Sequence, residues 1–575
     1  MGNWKTQMEY VVGVDFGSDS VRAVIVRASD GQVAAEAAAA YPRWAQGLYC
    51  DPGIRQFRQH PQDYLEALCA CVTEACAAAG ETVSSRIAAL SIDTTGSTPC
   101  PVDRAGTPLA LLPGFEENPN AMFHLWKDHT AGTEAAEITA CFSAGTPDYT
   151  VYQGPYSSEW YWAKILHTVR KDPAVRAVAY TWVEHCDWMA NLLAGRTRPE
   201  LAYRCACAAG HKAYWHSAWG GLPAKERLAQ LDPYLAQVHD TFIQPPEPCT
   251  AVVGTITQEW AQRLHLPAQT LICGGSFDAH AGAVGAGVCA GTMVVNIGTS
   301  AVNMMVERAD ALRGTGFAEL AGQAENSILP GYVGIETSQS AFGDTYAWLK
   351  RLLLWPFEAL LAGSGLPQEQ QNALAQQAGQ QLLPLLEQAA KALPPQPELV
   401  ALDWFNGRRY PYNNDQASSA VCGLDLGVSA PALYRALVEA TAYGQRRIVT
   451  GLTEHGIRID RIVAVGGIAQ KSPFVMQTLS DVLQRPITVS PVLRPVRWAR
   501  RSTPALARGS TPTSSRHKPR SAAPAGRSIS RTRPLRPITH RNTSATANSA
   551  GRSTPPPSRA EASAKTGTAP WQSLF

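Results

Sequence analysis

VVGVDFGSDSVRAVIV, spanning Val11–Val26, reads as two apolar strands joined by a tight turn. The first strand ends on a carboxylate, Asp15, and the turn supplies Gly17 and the hydroxyls of Ser18 and Ser20. A glycine lets backbone approach an anion closely, and turn N–H groups with hydroxyls can hold phosphate oxygens. A strand-end aspartate beside them suits Mg²⁺, which binds phosphates through few carboxylates. An ordinary β-hairpin would look the same in isolation. Outward from it, Asp30-Gly31 marks a second turn into a strand-like Gln32–Ala40. Pro61–Ala79 is amphipathic, opened by proline and closed by Gly80. Ile87–Asp93, IAALSID, is the short apolar run of a buried parallel strand. The combination predicts an α/β domain.

The same figure returns at Thr292–Val306, TMVVNIGTSAVNMMV, with Gly298-Thr299-Ser300 in the turn. Helices are predicted over Ser340–Leu354, Ala432–Thr450 and Ser472–Leu483, with a strand over Arg461–Gly467. Two such hairpins predict a duplicated fold around a cleft, each half supplying one loop to a nucleotide. The boundary is expected near 250–275, after Pro245, Pro246 and Pro248, with one domain over 10–265 and the next over 270–489.

Charge divides the chain differently. From Ser490 onward there are 16 Lys and Arg against one acid, Glu561, a net +15, while the preceding residues carry −12. That tail, 490–575, is rich in Ser, Thr, Pro and Arg, and its composition predicts disorder. It could contact polyanions, but it lacks interleaved aromatics, so no physiological nucleic-acid partner is expected. The N-terminus has no signal-peptide pattern, and no apolar run reaches membrane-spanning length. A cytoplasmic protein is expected. The 13 cysteines include no C-x-x-C pair and read as structural or incidental thiols.

Three further motifs could carry chemistry. Gly274-Gly275-Ser276-Phe277-Asp278 places an acid after a flexible pair. Asp278 could accept the proton of an attacking hydroxyl, or simply cap a helix. Gly466-Gly467 could lie against a nucleoside or form a tight strand-to-helix turn. Trp126-Lys127-Asp128-His129, His211-Lys212 and Glu336–Ser340 could line a polyol pocket or lie in solvated loops.

Together with DTTGSTP, ENPNAMFHLWKDHTA, AGHKAYWH, GGSFDAHAGAVGAG, QSAFGDTYAW, LDWFNGRR and GGIAQKS, these stretches resemble the FGGY carbohydrate kinases, and within them the bacterial L-ribulokinases. The resemblance runs in order from about residue 10 to 489. It implies two actin-like domains of the actin/hexokinase/Hsp70, ribonuclease H-like kind, closing on ATP, Mg²⁺ and a sugar. It further implies ATP-dependent phosphorylation of L-ribulose to L-ribulose 5-phosphate in arabinose breakdown. Another pentulose or ribitol kinase is the alternative activity, and a homodimer is the assembly entertained. By the matching positions, Asp278 would be the base and Asp15 would hold the metal. Ser97, Lys212, Asp278 and Glu336 would line the sugar pocket. Gly17, Ser18, Ser20, Gly298 and Thr299 would meet the phosphates, and Gly466 and Gly467 the adenosine.

The resemblance breaks where such kinases continue with an Ala-rich ALGAA helix and this chain reads LRPVRWARRSTPALARGST, Leu493–Thr511. Codons permitted for that segment, read one base earlier, spell AATSALGAAIYAGVGAGVY. The tail is therefore read as a frameshift product starting near residue 490. Losing a packed helix can exceed a domain's net stability of about 5–15 kcal/mol, so an inactive remnant is the other reading.

Overall fold

The computed structural model describes residues 9–312, 316–394, 396–411, 413–414, 416–490 and 527–529. The decisive hairpin forms as read. β1 (Tyr10–Phe16) and β2 (Ser20–Arg27) pair antiparallel, Asp15 facing Arg22 in register, and Val12, Val14 and Phe16 are fully buried. β3 (Val33–Ala40) extends the sheet along β2, while β4 (Ile87–Thr94) runs parallel to β1 on its other side. Every residue of β4 is buried, as a strand covered on both faces must be. β5 (Val252–Thr255) and β6 (Leu271–Phe277) complete the order β5-β6-β4-β1-β2-β3. Helix α1 (Pro61–Ala79) packs across β2 and β3 with Leu68, Cys71, Val72 and Ala75 inward.

Because β6 pairs with β4, the first lobe runs past the boundary expected at 265–270. The prolines at 245–248 precede β5 instead, a strand of the first sheet. A large insertion between β4 and β5 has its own aromatic core, with Trp162 and Trp182 fully inaccessible. It carries α2 (Ala206–Ala213).

The second lobe repeats the plan. β7 (Thr292–Ile297) and β8 (Ala301–Glu307) form the hairpin. β9 (Gly322–Glu325) and β10 (Val333–Gln339) extend it on one side. β11 (Arg461–Val465) and β12 (Ile487–Val489) lie parallel to β7 on the other. The turns match as well: the Gly17 N–H donates to Ser20 O at 3.0 Å and the Gly298 N–H to Ser300 O at 2.9 Å. Helix α3 (Asp278–Ala286) links the two sheets, and α4 (Ala430–Glu454) packs in the second core.

One expectation about the tail is corrected. β13 (Arg527–Ile529) pairs antiparallel with β12, and Ile529 is buried in the second core. Without it β12 would be, among the described residues, an edge strand with a row of unpaired backbone groups, which a short extended segment ending in one apolar side chain can satisfy whatever the charge around it. The rest of 491–575, including Trp498 and Leu506, lies outside the described residues.

Candidate functional site

β1 and β4 run parallel, so their C-terminal ends carry Asp15 and Asp93 side by side in register. β6, next along, ends one residue before Asp278. Three acids thus converge at one edge of the first sheet. Asp93 is buried and its Oδ2 has no hydrogen-bond partner among the described residues. Burial, reinforced by Asp15 and Asp278, holds its carboxyl well above the usual range. Burial also raises Asp15, against the pull of Asp93 and of Arg22 at 3.8 Å. Asp278 is solvent-exposed at the point where the two lobes face each other across the cleft. Desolvation there, with Asp15 as the next cause, pushes it up to about 7 although its Oδ1 accepts the Ala279 N–H at 2.6 Å. The exposure of the side chain screens that rise. The cap position of α3 falls on Phe277 with no side-chain cap, so Asp278 is the first residue of the helix rather than its cap, and it borders the cleft.

Two cavities meet at this carboxylate. One, of about 370 Å³, is lined by Asp15, Gly17, Ser18, Ser20, Arg22, Asp93, Asp278 and Gly466. The other, of about 260 Å³, is lined by Lys212, Glu336, Trp126, Trp160 and His280, with Gly298 and Thr299 of the second hairpin. Asp278, Ser18 and Asn296 border both. Gly466 needs its missing side chain: at φ +100° a Cβ would sit 2.4 Å from Ile297 O. Gly467 follows as the first residue of a short helix.

The second cavity carries the charge pair expected of a polyol pocket. Lys212, at the end of α2, places Nζ 3.3 Å from Glu336 Oε1 on β10, joining the lobes. The ammonium also lies 5.2 Å from the Trp160 ring and 5.7 Å from that of Phe277. Burial alone would raise the Glu336 carboxyl, but Lys212, His211 and His280 draw it down to about 2. Burial holds His211 well below its ordinary range and His280 at about 4. Both are therefore neutral at neutral pH, and Lys212 is the cation that keeps Glu336 ionised there.

Ser97 is placed otherwise than expected. It is buried, and its hydroxyl donates to the Glu184 carboxylate, while Thr95 and Gly96 line the cavity. The Lys164 ammonium caps the same turn by donating to Ser97 O at 2.8 Å. The other expected residues border one cavity or the other, save Gly467. Of the cluster at Trp126–His129, Trp126 donates its indole N–H to Ser18 Oγ at 3.0 Å, and Asp128 is spent on a fully buried ion pair with Arg58. Residues the motifs did not single out are Asp93, Asn296, Trp160 and His280. Asp93 alone had a signal, as the acid ending a second apolar strand.

A divalent cation fits this edge. Asp15 and the orphaned Asp93 Oδ2 are hard oxygen donors, and among the described residues Arg22 is the cation beside Asp15.

Comparison with known proteins agrees with this architecture. Residues 293–496 match the C-terminal domain of the FGGY family of carbohydrate kinases. A ribulokinase from Vibrio parahaemolyticus is 44% identical over 492 residues, covering 85% of this chain and 86% of the relative. A ribulokinase from Geobacillus thermodenitrificans is 33% identical over 494 residues, covering 84% and 83%. Among solved structures, xylulose kinase from Rhodospirillum rubrum superposes with a TM-score of 0.71 at 22% identity, over 94% of this chain and 98% of that one. Glycerol kinase from Plasmodium falciparum with ADP gives 0.67 at 16%, over 87% and 90%. With the repeated hairpin sheets and a match across most of its length, the chain belongs to the FGGY family of carbohydrate kinases.

Proposed function

We propose that the chain transfers the γ-phosphoryl group of ATP to the 5-hydroxyl of L-ribulose, giving L-ribulose 5-phosphate and ADP. The observation that carries this reading is Asp278, set where a cavity bordered by a hairpin turn and acids meets one bordered by Lys212 and Glu336. The two ribulokinase relatives support the choice of sugar.

In this reading Lys212 donates to, and Glu336 accepts from, sugar hydroxyls, with the Trp160 ring as an apolar wall. Asp278 takes the proton of the attacking hydroxyl as its oxygen bonds to the γ-phosphorus and the bond to the β,γ-bridging oxygen breaks. An ionised Asp278 is needed, which its raised carboxyl makes a good proton acceptor near neutrality. The turn N–H groups and hydroxyls at Gly17, Ser18 and Ser20, with Gly298 and Thr299 opposite, hold the phosphate oxygens. Gly466 and Gly467 flank the nucleoside. Asp15, with Asp93 behind it, would hold Mg²⁺, which supplies charge neutralisation on the phosphates. Assembly as a homodimer and a cytoplasmic location belong to the same proposal.

The test is ADP release by the purified chain with ATP and Mg²⁺, comparing L-ribulose with D-xylulose, ribitol and glycerol. L-ribulose should give the highest kcat/KM. A higher value with any of the others would replace the substrate, and no sugar-dependent release would favour the remnant reading.

A further inference from the structure

We propose that the loop Leu402–Pro411, together with Asn413, is a sugar-side latch, in which Arg409 bonds Glu159 across the cleft and Arg409 and Asn413 help to select the substrate. The inference rests on the polyol reading of the smaller cavity. LDWFNGRR was singled out in the sequence, yet none of its residues has a part in the chemistry above.

The loop is fastened to the strand that carries Glu336. Gln339, at the end of β10, donates its amide to Asp403 Oδ2 at 2.5 Å and to Thr441 O at 3.0 Å. The next residue, Ser340, donates its hydroxyl to Gly407 O at 2.7 Å. Phe405 packs on Trp348 at 4.8 Å, and Arg408 lies 4.9 Å from the Trp404 ring. Arg408 and Asn414 exchange backbone hydrogen bonds at 3.0 and 2.7 Å, which ties off the turn. So held, the loop directs Arg409 to the first lobe, where Nη2 donates to Glu159 Oε1 at 2.5 Å. His129 Nε2 sits 3.4 Å from the same oxygen and its Nδ1 is 3.2 Å from Ser158 Oγ, so the acceptor is itself positioned.

Glu159, Arg409 and Asn413 all line the cavity that holds Lys212 and Glu336. Asn413 Oδ1 is buried there without a hydrogen-bond partner among the described residues. A buried unpaired acceptor beside a planar guanidinium fits a ligand bearing several hydroxyls. The loop and β10 share their anchors, so a sugar held by Glu336 favours the closed arrangement in which Arg409 reaches Glu159, and the ion pair in turn favours retention of the sugar.

The test uses the full chain and compares Arg409→Met, Glu159→Gln, Asn413→Leu and the exchanged pair Arg409→Glu/Glu159→Arg. The readouts are KM for L-ribulose, KM for ATP, kcat and the melting temperature with and without sugar. The single variants should raise KM for L-ribulose about tenfold and leave KM for ATP within about twofold, and the exchanged pair should recover part of the loss. Equal increases in both KM values, or a lower melting temperature with unchanged sugar KM, would overturn the latch alone. If the parent shows no sugar-dependent turnover or stabilisation, the functional reading falls and the latch falls with it.

Discussion

Replacing Asp278 with Asn separates proton acceptance from everything else this side chain does. Its Oδ1 accepts the Ala279 N–H at 2.6 Å, and the Asn amide oxygen can keep that bond and the start of α3. A sugar hydroxyl can still hydrogen-bond to the amide, so sugar affinity should stay within a few-fold. What disappears is the capacity to take a proton at neutral pH. General-base catalysis is worth about 10²–10⁴-fold, so the expected loss in kcat is about 10³-fold, or about 4 kcal/mol of transition-state stabilisation. Coupled ADP-release assays give kcat, and calorimetric titration with L-ribulose gives affinity. Turnover within about tenfold of the parent would refute the base assignment.

The same substitution has a second signature. The Asp278 carboxyl is raised in the fold from the 3.8 of the free group toward about 7, because of desolvation in the cleft and then Asp15. Between those values the folded state binds more protons than the unfolded state, so this group's contribution to stability is present at low pH and lost as pH rises through 7. Asp278→Asn should flatten that part of the pH–stability curve of the metal-free protein, measured by denaturant melts in chelator. An unchanged slope would mean that the acid edge is better solvated than its geometry indicates.

Lys212→Met or Glu336→Gln should raise KM for L-ribulose by about 10- to 100-fold with little change for ATP, since each removes a charged hydrogen-bond partner from the smaller cavity. The converse pattern would mean the two cavities have been assigned the wrong ligands. Asp128→Ala leaves the fully buried Arg58 guanidinium without its carboxylate and should cost about 3–5 kcal/mol in chemical denaturation; a loss below about 1 kcal/mol would show that the site relaxes. Restoring the alternative frame near codon 490 should give a chain that melts higher and turns over faster than the present one, by side-by-side thermal melts and kinase assays. Equal stability and equal rate would show that β13 and the altered tail serve as well.

What the sequence made legible was local. The hairpin turns at Gly17 and Gly298 announce themselves by apolar strands broken by small residues, and Asp278 by the Gly-Gly that precedes it. Asp93 was within reach on the same terms: two parallel apolar strands, each ending in an acid, must place those acids together if they are neighbours. The residues that were not legible owe their position to partners far along the chain. Ser97 looks like a polar residue in a small-residue loop, and only Glu184, 87 positions on, reveals that its hydroxyl is already spent. Arg409 reads as one arginine of a pair until Glu159, 250 positions earlier, receives it. β13 illustrates the opposite failure. Composition judged the tail by its average charge, whereas an edge strand asks only for three residues of extended backbone and one apolar side chain. Ile529 supplies that side chain by burying itself beside Val489 and Ile487. Such a pairing depends on what the sheet lacks, and a reading of the segment itself contains nothing about that need.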